Sequence, residues 1–464
     1  MLIRGAEIYG LGLADLRTQG AAIAEIGQLA ALPGEAVLDA VGGALLPGLH
    51  DHHIHLSALA ARRASLWCGP PAVTTAEDLA GVLAAAPGTG WLRGIGYHDS
   101  VMGLPDARAL DRLLPDRPLR IQHRSGRMWL FNSAGLELAL AGALPPAGLE
   151  RDGTGYTGRL FDEDGWLRSA LGSSPPDLTE VSRELAHYGV TGLTDMSPRN
   201  DPAMAAHVAA QRRAGALAQA CLLAGTLELA HAAPQGWTLG PAKLHLHEAA
   251  MPDFDETLAF IIAAHRQGRG VAIHCVSEVE LVYALAALEA AAVQPGDRIE
   301  HASVASDDLI ARIAALGIPV VAQPHFIAER GDEYLTDVEP RHHRELYRLR
   351  SFRHAGVVLA GGSDAPFGSA DPWLAMAAAV ARRTQSGAIM REDEALSPEQ
   401  ALALYLADPL DLARQRRIEV GAPADLCLLG CAWAAARGNL SAGNVRATVI
   451  AGRLVKDGVD QPPV

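Results

Sequence analysis

The chain has 464 residues, 49% of them hydrophobic and 20% charged, with a formal net charge of −14. That length exceeds one ordinary core and fits a large domain of roughly 250 to 400 residues plus a smaller one. The acidic balance, without any basic run, excludes a nucleic-acid or acidic-membrane partner, and no stretch offers the roughly 18 uncharged apolar residues of a membrane span.

Residues 1–46 read as short β-like pieces such as AAIAEIG, punctuated by glycine. The opening MLIRGAEIYGLGLADL lacks a basic leader, an apolar core and a small-residue cleavage site, so no signal peptide is expected. Five cysteines, an odd number without CxxC pairing, suit a reducing cytoplasm. Residues 47–414 are expected to form one large domain, in which helical stretches alternate with short apolar runs. Helical spacing of apolar residues predicts helices over 179–187, 255–266, 278–291, 306–316 and 343–354. Each is followed by a strand-like run: VTGLTDM, VAIHC, DRIEHA, IPVVAQPH and VVLAGGSD. Such alternation indicates an α/β fold with a parallel sheet closed as a (β/α)8 TIM barrel. A Gly- and Pro-rich stretch at about 91–175 is longer than one strand-helix unit and reads as an insertion over the barrel mouth. Residues 415–464 return to β-like pieces, ADLCLLG and VRATVIAGRLVKDG, and the two chain ends are expected to meet in one small β-sandwich.

The motif LLPGLHDHHIHLS, residues 45–57, runs an apolar strand into His53 and His55, which share a face because side chains two apart on a strand point the same way. Two neutral imidazoles side by side suit a borderline-soft divalent cation such as zinc. Three later runs also end in metal-competent side chains, His274, His301 and Asp364, at what would be the C-terminal face of the barrel. Satisfied core histidines would not fall at four strand ends together. Lys243, in GPAKLHLHE, is one of only two lysines among 39 basic residues. An ammonium cannot bind a metal, but a desolvated, neutral amine reacts with carbon dioxide to give a carbamate whose two oxygens can bridge cations. Arginine, always charged, cannot do this.

Together these residues resemble the metal-dependent amidohydrolase superfamily. Within it, WLFNSAGLELA, DRIEHASVAS, AQPHF and GGSDAPFGSADPWLAMAAAVARR are similar to the YtcJ-like branch that includes N-substituted formamide deformylases. The resemblance implies that His53 and His55 hold a buried metal with Asp364, and that His274 and His301 hold a more exposed one. A carboxylated Lys243 would bridge them, with two zinc ions per chain. A metal-activated hydroxide would then cleave a non-peptide C–N bond of a small amide, formamide or cyclic amide, and Asp364 would carry the proton to the leaving nitrogen. The chain departs from the branch at Gly126–Arg127, after His274, and after Lys243, where His245 and His247 stand. These two histidines, with Arg124, Arg127, His325 and His98, are the candidate substrate contacts. The alternatives are a mononuclear deaminase of an aminated heterocycle, with Lys243 unmodified, and a catalytically silent barrel used for binding. The partner expected is a small-molecule substrate in the cytoplasm, and the sequence leaves homo-oligomerisation open.

Overall fold

The computed structural model describes residues 1–153, 155–172 and 175–457. It divides into two compact units, Met1–Leu56 with Asp177–Val464, and Ser57–Pro176.

The first unit contains an eight-stranded parallel sheet whose strands lie side by side in chain order. They are β1 (Leu49–Ile54), β2 (Val190–Asp195), β3 (Ala220–Gly225), β4 (Thr238–His245), β5 (Val271–Cys275), β6 (Arg298–His301), β7 (Val320–Ala322) and β8 (Leu359–Gly361). Buried residues run almost continuously through β2, β3 and β5 to β8, the pattern of strands covered on both faces. Between β8 and β1 the barrel is closed by the turn after β8 rather than by a regular ladder. Asp364 N donates to His53 O at 2.6 Å, His55 N to Ala365 O at 2.8 Å, and Ser363 N to Asp51 Oδ1 at 3.0 Å. A Cβ on Gly362 would lie 2.4 Å from the Cβ of His53, so only glycine admits this approach.

The helices over 179–187 and 278–291 form as predicted, and the latter starts with a capping box between Ser277 and Glu280. The helix expected from 255 begins one residue earlier, at Phe254, and the one expected from 306 begins at Asp307 with Ser306 as its N-cap. The continuous helix predicted over 343–354 is corrected: a 3-10 turn, Pro340–Glu345, and a short helix, Leu349–His354, replace it. Its middle is taken by backbone pairing with the segment after β6, where Ala305 N donates to Glu345 O at 3.0 Å and Tyr347 N to Ser303 O at 2.9 Å. Helical periodicity cannot register such long-range pairing.

The chain ends meet in one mixed sheet of eight strands, joined where Ala44–Pro47 pairs antiparallel with Leu426–Leu429. Leu2–Ile8 pairs with three strands of this sheet, which encloses a core that includes Ile3, Leu16, Leu45, Leu428 and Val449.

The second unit, Ser57–Pro176, begins before the insertion expected at about 91–175. Its first strand, Leu66–Trp67, pairs with Leu92–Tyr97, which ties the earlier residues into its own six-stranded sheet. Its cores gather around Tyr97, Leu119 and Leu130 and around Trp129 and Phe131. Among the described residues, no helix is long and apolar enough to cross a membrane.

Candidate metal centre

β1 presents His53, His55 follows directly on its end, and the turn after β8 brings Asp364 against them. Asp364 Oδ1 lies 3.1 Å from His55 Nε2 and 3.3 Å from His53 Nε2. At the end of β6, His301 turns in beside His53 with ring centroids 4.8 Å apart. Potential ligand atoms of His53, His301 and Asp364 all fall within 4.8 Å of one another. His301 and Asp364 both adopt left-handed backbone, with φ of 72° and 51°. Non-glycine residues are held there at a cost of order 1–3 kcal/mol, and such strain clusters at functional sites.

Strand register supplies the rest. Parallel pairing sets His245 of β4 opposite His274 of β5, and Cys275 opposite His301 of β6. The imidazoles of His245 and His274 therefore stack at 4.2 Å and 21°, and His274 meets His301 edge-on at 4.5 Å. Lys243, two residues before His245, shares its face of β4 and is only 5% exposed.

The outer ring nitrogens are largely accounted for. His53 Nδ1 bonds Glu300 Oε2 at 2.5 Å, His301 Nδ1 bonds Gln323 Oε1 at 2.7 Å, and His55 Nδ1 faces Ser197 Oγ at 3.4 Å. Carboxylate and amide oxygens only accept, so His53 and His301 carry a proton on Nδ1. The inner atoms are not accounted for: His53 Nε2, His301 Nε2 and Lys243 Nζ are buried without a hydrogen-bond partner among the described residues. Buried polar atoms are seldom left this way; a bound cation would satisfy the two imidazole nitrogens, and carbamylation would turn the amine into an anion.

The electrostatics agree. Burial pushes Lys243 down to about 8, with Arg298 adding to the effect while Glu300 and Asp364 oppose it, so a minor neutral-amine fraction is available near neutral pH. Burial pushes His301 down to about 3, with His53 and Lys243 adding to the effect while Asp364 and Glu300 oppose it, and burial with adjacent imidazoles lowers His274, so both imidazoles are in the neutral form that can ligate a metal. Burial alone would raise the Asp364 carboxyl, but the adjacent imidazoles of His53 and His55 hold it well below the usual range. For His53, burial is the largest influence and lowers the imidazole, but Glu300 and Asp364 together outweigh it and the imidazole is raised. Its Nε2 faces Asp364, so a cation there would take the place of a proton.

The other predicted contacts fall differently. His325 is fully buried and gives Nε2–H to Ser363 O at 3.0 Å, which holds the turn before Asp364. His247 lies beyond the end of β4 and is exposed; its Nδ1 accepts from Ala249 N at 3.2 Å and caps a 3-10 turn. Arg124, Arg127 and His98 belong to the second unit. There Arg127 is engaged by Asp162 through two bonds of 2.8 and 2.7 Å, His98 Nδ1 bonds Ser100 Oγ at 2.8 Å, and Arg124 is exposed. Cys275 is buried and burial pushes its thiol well up, which removes it as a nucleophile. Sequence reasoning missed Asp51, Glu300 and Gln323. Charges at 298 and 300, alternating with Ile299 in the strand-like run DRIEHA, were the available signal. A second ligand-type group, Glu278, His342 and Glu345, is closed by its own bond, His342 Nδ1 to Glu345 Oε2 at 2.5 Å.

Residues 36–456 match the family described as "Amidohydrolase family". The chain is 28% identical over 469 residues to an N-substituted formamide deformylase from Arthrobacter pascens, covering 86% of each sequence. It is 26% identical to YtcJ of Bacillus subtilis (strain 168), covering 89% of each. The structure superposes on an uncharacterized metal-dependent hydrolase from Pyrococcus horikoshii OT3 with a TM-score of 0.77 and 21% identity, covering 92% of this chain and 97% of that one.

Proposed function

The chain belongs to the amidohydrolase family, a hydrolase acting on carbon–nitrogen bonds, and from that premise we propose that it cleaves a small amide, formamide or cyclic amide at a two-zinc centre. The single observation that carries this reading is the trio of buried, unpartnered atoms, His53 Nε2, His301 Nε2 and Lys243 Nζ, gathered with Asp364. His53, His55 and Asp364 would hold one cation, His274 and His301 the other, and the carbamate of Lys243 would reach both. The metals supply Lewis acidity and lower the pKa of a water from 15.7 toward roughly 7.

The chain's own residues do the rest. The Lys243 amine, depressed by burial, adds carbon dioxide and releases a proton, and the product is an anion where an ammonium would repel cations. Asp364, held ionised beside His55 and His53, accepts the proton of the attacking water and delivers it to the departing nitrogen. His325 keeps the turn of Asp364 in place through Ser363. An unbonded Lys243 amine favours the two-metal form over a mononuclear deaminase, which would leave that buried amine without a role. Five free cysteines are consistent with our placing the enzyme in the cytoplasm. The likeness to the Arthrobacter deformylase puts N-substituted formamides first in a substrate panel, followed by lactams, cyclic ureides and aminated heterocycles. Release of amine and formate by the zinc-loaded protein, absent after chelation, is the expected result. Ammonia from aminated heterocycles alone would point to the deaminase instead.

A further inference from the structure

His53 differs from the other candidate ligands in what holds its outer nitrogen. Its Nδ1 meets a carboxylate, Glu300 at 2.5 Å, where His301 meets a neutral amide and His55 a hydroxyl at 3.4 Å. Glu300 is itself bracketed. Its Oε1 accepts from Arg298 Nε at 2.5 Å, and Arg298 Nη2 donates to His52 O at 2.9 Å. The contacts close a ring: backbone of His52, guanidinium of Arg298, carboxylate of Glu300, imidazole of His53. β1 and β6 are not neighbours in the sheet, so the ring crosses the barrel interior. Its side chains are buried, with Arg298 4% and Glu300 0% exposed, so water does not compete for these bonds.

A purely structural ion pair would be complete with Arg298 and Glu300 alone. Here the second carboxylate oxygen is given to an imidazole whose inner nitrogen has no hydrogen bond among the described residues. A carboxylate on the far side of a ligating imidazole fixes its tautomer and ring plane and raises its basicity. We propose that the Arg298–Glu300 pair is a positioning clamp that holds His53 in the Nδ1–H form with Nε2 turned toward the cation, and makes the His53 position the tightest metal-binding position of the centre. Strand β6 thus supplies one candidate ligand, His301, and governs another across the barrel. The clamp rests on the metal-centre reading above, and its test separates the two.

Zinc is titrated against a chromophoric chelator into metal-stripped wild type, Glu300→Gln and Glu300→Asp, and cobalt(II) absorption spectra are recorded for each. Glu300→Gln weakens the tightest binding step by about 10- to 100-fold and alters the cobalt spectrum, with Glu300→Asp in between. Unchanged affinity and spectrum in Glu300→Gln overturn the clamp while leaving the metal centre standing. If wild type takes up no zinc, the metal reading itself has failed and the clamp falls with it. Should Glu300→Gln not fold, nitrogen-15 NMR of histidines in metal-free wild type, with His53 assigned by its loss in His53→Gln, decides the matter. Protonation at Nδ1 supports the clamp, and protonation at Nε2 alone overturns it.

Discussion

Lys456 and Lys243, the two lysines of the chain, sit in regions that treat an ammonium in opposite ways. In the sheet built from the chain ends, Lys456 donates to Val445 O at 2.6 Å and His187 O at 3.1 Å. At the barrel's strand ends, Lys243 is more deeply buried and has no hydrogen-bond partner among the described residues, like the inner nitrogens of His53 and His301. Burial lowers both amines, Lys243 to about 8. The end sheet resolves its buried polar groups within the protein, as folds ordinarily do. The barrel leaves its own open, which stabilises nothing by itself and makes sense only with a further group bound.

Changing the two lysines tests that contrast most strongly. Lys243→Ala is expected to abolish turnover and strip metal, measured by elemental analysis, with partial rescue by short carboxylates; retention of full metal and rate would erase the difference between the regions. Asp364→Asn should lower kcat by about 10² to 10⁴, read in single-turnover assays with metal content checked alongside. Chelating the metal should destabilise the protein by roughly 3 to 4 kcal/mol if it was held at 100 to 1,000 times its Kd, seen as a fall in Tm. Lys456→Met, by contrast, should cost about 1 to 2 kcal/mol in denaturant melts through its two lost hydrogen bonds and leave metal content untouched. His247→Ala should change stability by no more than about 0.5 kcal/mol and alter neither metal content nor kcat, because its ring only caps an exposed turn.

Much of this architecture could be read from the chain because it is local. The strand-like runs VAIHC, DRIEHA and VVLAGGSD hold strands whose ends deliver His274, His301 and Asp364, and helix periodicity located 179–187 and 278–291. What escaped depends on partners distant in sequence. Glu300 acquires meaning only from His53, 247 residues away. Arg127 looked free until Asp162, 35 residues on, engaged it within the second unit. Strand alternation would put His247 on the face of Lys243 and His245, but β4 ends at His245, so alternation does not govern His247. The segment 343–354 has helical spacing, yet its backbone is committed to Ser303 and Ala305.

The most direct test of the central claim is a crystal structure of the zinc-loaded protein, prepared with bicarbonate, with anomalous scattering measured at the zinc edge. Two anomalous peaks among His53, His55, His274, His301 and Asp364, with carbamate density on Lys243, are the predicted result. A mouth without metal, or a plain Lys243 amine beside a single zinc, would contradict it.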